Sequence, residues 1–190
     1  MKVFGIDPGS ARTGYGCVET DGTRHRLLIC GAITPPPTAS FPDKLRLLHR
    51  ELLALLEECG PACVAIENIF HAANVRSALK LGHARGVALL AASEAGLQVV
   101  EYSPAEIKRA VVGYGRAEKA QVQEMVRLLL GLRLAPSPHD VADALAVAIC
   151  HIHTNSGAKS SRGARGARAA TSWRRLRPAD LSALSGRIRG

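Results

Sequence analysis

Residues 1–9, MKVFGIDPG, decide how the rest of the chain is read. Val3, Phe4, Gly5 and Ile6 form an apolar run after Lys2, Asp7 ends it, and Pro8-Gly9 turns the chain. An apolar run closed by a turn predicts a buried strand. A carboxylate at the end of such a strand needs compensation, because burying an unpaired charge is costly.

Outward from this stretch, residues 13–19 (TGYGCVE) and 24–33 (RHRLLICGAI) predict two more strands, with Asp21-Gly22 as a hairpin turn between them. Three strands joined so tightly predict an antiparallel meander. Residues 34–42 are a loop, since Pro35, Pro36 and Pro37 have no N–H to give to a ladder. Leu45, Leu48, Leu52, Leu55 and Leu56 recur at helical spacing over 43–59, and Gly60 stops that helix. Residues 62–67 (ACVAIE) predict a strand that again ends in an acid, Glu67. A helix over 74–95 carries Ala78, Gly82, Ala84, Gly86 and Ala88, small residues that place it either centrally or at an interface. Residues 97–102 predict a fifth strand. Ser103 and Glu106 then form a capping-box pattern for a short helix, followed by a Gly113-Tyr114-Gly115 loop. Helices over 117–130 and 139–153 complete the series. The order β-β-β-α-β-α-β-α-α-α predicts an α/β domain with a mixed five-stranded sheet flanked by helices on both faces. That layout is ribonuclease H-like.

The chain has 190 residues, 47% of them apolar and only 4% aromatic, so aliphatic side chains and alanine must build one core. Its net charge of +9 points to a polyanionic partner. The charge is uneven. Residues 157–190 hold nine Lys or Arg and one acid, leaving 16 basic against 15 acidic residues in 1–156. We therefore expect a folded domain over 1–156 and a basic, disordered tail over 157–190. Cys17, Cys30, Cys59, Cys63 and Cys150 are odd in number and lack CxxC spacing, so they read as reduced residues of a cytoplasmic protein. A zinc site from Cys59, Cys63, His151 and His153 is disfavoured because Cys63 falls inside a strand. The N-terminus lacks a signal pattern, and no apolar stretch nears the roughly 20 residues needed to span a membrane.

Four acids stand at element ends or on one helical face. Asp7 and Glu67 end strands that run side by side and parallel in this topology. Asp140 and Asp143 lie three residues apart on the last helix. Taken singly, each has a plain structural reading: a turn residue, a solvated strand end, a helix cap. Taken together, converging carboxylates repel and cannot all ionise in an empty pocket. Mg²⁺ resolves this, since it prefers oxygen ligands. Two such ions about 3.5–4 Å apart activate a water and stabilise the leaving oxygen of a phosphodiester.

The segments IDPGSARTGYG, AIENIFHAANVRSALKLGHARGVALLAA, VVGYGRAEKAQVQEMV and HDVADALAVAICH resemble, in order, those of RuvC-type Holliday-junction resolvases, the crossover junction endodeoxyribonucleases. The resemblance spans residues 1–153. It implies a homodimer that binds four-way DNA junctions in recombination and repair and nicks two strands of like polarity, using Mg²⁺ (two ions per site, with Mn²⁺ as a substitute). It implies a branch-migration helicase complex as partner. By position, Asp7, Glu67, Asp140 and Asp143 are the catalytic, metal-binding acids. His139 competes with Asp140 for the last place, and the spacing to Asp143 favours Asp140. Phe70 is expected to stack on a base near the junction centre. Lys108, Arg109, Arg116 and Lys119, around the Gly-Tyr-Gly loop, are expected to contact phosphates. The resemblance also gives Lys119 a supporting part in cleavage and the second helix the dimer contact. Two other classes compete. One is a non-catalytic junction-binding protein on the same fold, against which the intact acid set argues. The other is an actin-like phosphotransferase, for which this length lacks a second half-domain.

Overall fold

The structure, a computed structural model, describes residues 1–68 and 74–160, with side chains through 155. Strands β1 (Lys2–Asp7), β2 (Thr13–Thr20) and β3 (His25–Ile33) form the expected meander, and β4 (Cys63–Glu67) and β5 (Val99–Tyr102) complete one sheet in the order β3-β2-β1-β4-β5. β1 pairs antiparallel with β2, Phe4 opposite Cys17, and parallel with β4, Phe4 opposite Val64. The fold is the mixed, ribonuclease H-like sheet that the element order predicts.

Side chains alternate across each strand, and the alternation sorts the molecule into two layers. Phe4, Ile6, Val64 and Ile66 face α1 (Phe41–Cys59) and α2 (Val75–Glu94), packing on Leu48, Leu52, Leu56, Ala84 and Ala88. Val3, Cys63 and Ala65 face α3 (Pro104–Val112), α4 (Lys119–Leu129) and α5 (His139–Ser160). α5 is buried on nearly every side from Val141 to Ile152, as an apolar helix between a sheet and two other helices must be.

Glycines bring α5 unusually close to the sheet. A Cβ on Gly5 would lie 2.0 Å from the Ala144 carbonyl oxygen, and one on Gly14 would lie 1.9 Å from that of Asp140. On Gly16 it would meet Leu145 Cδ2 at 2.4 Å. A side chain at Gly5 or Gly14 would meet the helix backbone and push it outward, whereas one at Gly16 would displace the Leu145 side chain.

Some boundaries differ from expectation. α1 starts at Phe41, two residues early, because Ser40 Oγ accepts a hydrogen bond from the Asp43 N–H at 3.3 Å and caps the helix. α4 starts at Lys119, where Gln121 Oε1 accepts from the Glu118 N–H at 2.9 Å. α5 continues past His153, and Thr154 Oγ1 donates back to the Cys150 carbonyl. Most of the basic tail lies outside the described residues.

The zinc alternative does not survive. Cys59 packs in the α1–α2 layer and Cys63 in the other. Cys63 Sγ meets His151 Nε2 at 3.2 Å, whereas His153 Nε2 meets His25 Nε2 at 3.1 Å. Among the described residues, no helix is long and apolar enough to cross a membrane.

Candidate active site

The same alternation that builds the core places the acids. Asp7 follows Val3 and Gly5 on the α5 side of β1, and Glu67 follows Cys63 and Ala65 on the α5 side of β4. The β1–β4 register pairs Ile6 with Ile66, so the next step sets Asp7 beside Glu67. With Asp143 from α5 they line a cavity of about 330 Å³, together with Lys108, Lys119 and the apolar side chains of Ile107 and Val122. A larger groove, about 490 Å³, lies elsewhere, against α1 and α2, and its lining is almost wholly apolar. His83 is its one polar side chain and no carboxylate lines it, so the smaller, acid-lined cavity is the candidate site.

Electrostatics mark the cavity as a place that wants positive charge. Burial first, then the neighbouring Glu67, Asp143 and Asp140, push the Asp7 carboxyl up to about 8. Burial and Asp143 push Glu67 up to about 7. Burial also raises Asp143, against the opposing pull of Lys119, whose Nζ lies 3.5 Å from Asp143 Oδ2. Asp7 thus keeps its proton near neutral pH and Glu67 titrates there, so a cation would be needed to hold both ionised.

The fourth acid behaves differently. Asp140 is absent from the cavity lining among the described residues, and its Oδ2 lies 3.5 Å from Arg12 Nη1 instead. His139, at the exposed first turn of α5, is also not part of that lining. Arg12 sits in the β1–β2 turn, which Thr13 closes by accepting from the Gly9 N–H at 3.2 Å and donating to the Gly9 carbonyl at 2.9 Å.

Of the expected DNA-contacting residues, Lys108 and Lys119 reach the cavity wall, while Arg109 and Arg116 are exposed on α3 and the following loop. Phe70 lies outside the described residues. Sequence reasoning passed over Arg12, and over Gly5 and Gly14. The alternating glycines of TGYG were the available signal, since glycine inside a strand marks close approach of another backbone.

The donor set is all oxygen and suits a hard divalent cation. Among the described residues, no three His, Cys, Asp or Glu side chains converge closely enough to hold one ion between them. The acids line the cavity walls, and Lys119 and Arg12 each stand beside one of the α5 acids. The chemistry of the site therefore fits a metal, and the acids would have to draw closer together around it.

Comparison with known proteins gives the family of the chain. The sequence model of the family described as "Crossover junction endodeoxyribonuclease RuvC" matches residues 3–151. The chain belongs to the RuvC family. The RuvC crossover junction endodeoxyribonuclease of Alkaliphilus oremlandii (strain OhILAs) is 51% identical over 156 residues, which cover 82% of this chain and 95% of that protein. The one from Koribacter versatilis (strain Ellin345) is 52% identical over 157 residues, covering 82% and 95%. The solved structure of Thermus thermophilus RuvC in complex with a Holliday junction substrate superposes with a TM-score of 0.80 at 38% identity, covering 83% of this chain and 96% of that one.

Proposed function

We propose that this RuvC family member is a Mg²⁺-dependent endonuclease that resolves four-way DNA junctions by paired phosphodiester hydrolysis. The observation that supports it best is the meeting of Asp7, Glu67 and Asp143 in one cavity, with Asp7 and Glu67 raised to about 8 and 7. Asp7, Glu67 and Asp143 would hold the metal, with Asp140 joining from the adjacent turn of α5. When bound, Mg²⁺ supplies an activated water and stabilises the leaving oxygen. Mn²⁺, also a hard oxygen-preferring ion, would substitute.

The protein's own groups prepare this chemistry. Asp7 and Glu67 would have to be ionised to hold a cation, so binding would be favoured by rising pH. Ile107 and Val122 keep the wall apolar, which strengthens every charge interaction inside. Lys108 and Lys119 offer ammonium groups at the cavity edge to an incoming phosphate, and Arg109 and Arg116 extend that basic surface. Phe70, three residues beyond Glu67, is the aromatic proposed to stack on an unpaired base.

Dimerisation is proposed through the outer face of α2. Val75, Leu79 and Leu90 are 78%, 60% and 51% exposed there, an apolar set that a lone chain would leave in water. Gly82 and Gly86 have open space where a Cβ would stand, so a second backbone could come close. Two copies related by a two-fold axis suit a junction with matching arms. The basic tail beyond residue 156 is proposed as a sequence-independent tether on DNA.

The test is a synthetic four-way junction beside a linear duplex, each with and without Mg²⁺. Symmetric nicks in the junction alone, and only with Mg²⁺, are expected. Tight binding of the junction without nicking would favour a non-catalytic junction-binding protein instead.

A further inference from the structure

The two α5 acids each carry a basic partner at the same distance: Lys119 lies 3.5 Å from Asp143 and Arg12 lies 3.5 Å from Asp140. Lys119 is at the cavity, but Arg12 comes from a different element and leads its acid elsewhere. The backbones on both sides of the Arg12–Asp140 pair are fixed. Thr13, only 1% exposed, ties the turn back to Gly9 through two hydrogen bonds, and a Cβ on Gly9 would lie 2.1 Å from the Arg12 carbonyl oxygen. On the other side, the Asp140 backbone rests directly on Gly14.

The side chains between these fixed points are held loosely. Arg12 touches Asp140 through a single nitrogen, not the two-pronged contact of a strong guanidinium–carboxylate pair. Its Nε donates to Thr34 Oγ1 at 3.4 Å, near the long limit of a hydrogen bond. The two side chains are 45% and 34% exposed, so water screens their attraction. A pair of this kind adds little to stability, and it is readily exchanged.

Resting on the metal-site reading above, we propose that Arg12 is an exchangeable counter-ion: it neutralises Asp140 in the metal-free protein, yields it to the divalent ion, and is then free to contact a backbone phosphate of the bound DNA. Charge at the site is conserved in kind, since one cation leaves the carboxylate as another arrives. The guanidinium suits the second partner, because it pairs with phosphate oxygens as it does with carboxylates. Arg12 is thus a positioning residue for Asp140 in one state and a phosphate contact in the other.

Two readouts separate this from a merely structural role. The first is Mn²⁺ binding to the full chain, followed by loss of the free-ion electron paramagnetic resonance signal, with Asp7→Asn defining binding away from the site. Arg12→Gln should bind Mn²⁺ about two- to fivefold more tightly, the range that an exposed ion pair can withhold. The second is the salt dependence of junction binding, where Arg12→Gln should lower the slope of log affinity against log salt by about one per lost phosphate contact. Arg12→Lys keeps the charge and should restore both towards the wild type. Equal Mn²⁺ affinity and equal slopes in wild type and Arg12→Gln overturn the proposal, as does failure of Arg12→Lys to rescue. If the wild type itself shows no Asp7-dependent Mn²⁺ binding, the metal-site reading falls and this proposal with it.

Discussion

Replacing Asp7 by Asn should stabilise the metal-free protein at alkaline pH while abolishing its activity. Folding raises the Asp7 carboxyl from 3.8 to about 8 and Glu67 from 4.5 to about 7. Between about pH 4 and 8 the folded protein therefore binds more protons than the unfolded chain, and its stability falls as pH rises through that window. Each pH unit of the window corresponds to about 1.4 kcal/mol for one such group, so Asp7 alone sets a ceiling of about 6 kcal/mol. Water reaching the partly open carboxyl screens a good part of this, and we expect a loss of about 3 kcal/mol between pH 5 and pH 9. Asn keeps the shape without the charge, so its stability should lose Asp7's share of the fall and keep only the smaller one that Glu67 sets. Mg²⁺ should restore the wild type at pH 9 and do little for the variant. The assay is denaturant unfolding at several pH values, with and without Mg²⁺, beside junction binding and nicking. Wild-type stability that stays level or rises from pH 5 to pH 9 would falsify the reasoning, as would an Asn variant that still nicks junctions.

Other outcomes follow from particular contacts. Gly14→Ala puts a methyl group into the Asp140 carbonyl and should cost about 1–3 kcal/mol, with loss of nicking beyond what the lower melting temperature explains. Lys119→Met removes the cation that lowers Asp7, Glu67 and Asp143, so the acidic limb of the nicking pH profile should move to higher pH; an unchanged profile would detach Lys119 from the acids. Leu79→Glu should convert the proposed dimer to a monomer in sedimentation analysis while leaving Asp7-dependent Mn²⁺ binding in place. Removal of residues 157–190 should weaken junction binding chiefly at low salt and leave nicking intact, measured by titration at two salt concentrations.

The sheet was legible because its signals are local. Apolar runs closed by Asp7-Pro8-Gly9 and by Glu67 read as buried strands that both end in an acid, and the parallel β1–β4 pairing sets those ends side by side. The first turn of α1 was hidden because its cap, Ser40, stands in a proline-rich stretch that reads as loop. The seating of α5 was not legible, since it depends on Gly5 and Gly14 meeting a helix more than a hundred residues later. Arg12 was missed for the same reason: its partner, Asp140, is 128 residues away. The sequence led us to expect a metal ion, not a basic side chain, as the compensation for the acids. Lys119 and Arg12 stand beside the two α5 acids, while burial and mutual repulsion raise the strand-end carboxyls of Asp7 and Glu67 and leave those for a cation to compensate.

The two-layer sorting of the strands also limits how this family can vary in length. One residue inserted between Lys2 and Ile6 would turn Asp7 towards Leu52, Leu56 and Ala84, into a greasy layer, and would carry Phe4 or Ile6 into the active cavity. Two residues would restore the parity. Single-residue length changes should therefore be absent from β1 and β4 across the lineage, while the 34–40 loop, which carries no such parity, is free to change by any number. The reading frame of the catalytic centre is, in this sense, written in pairs.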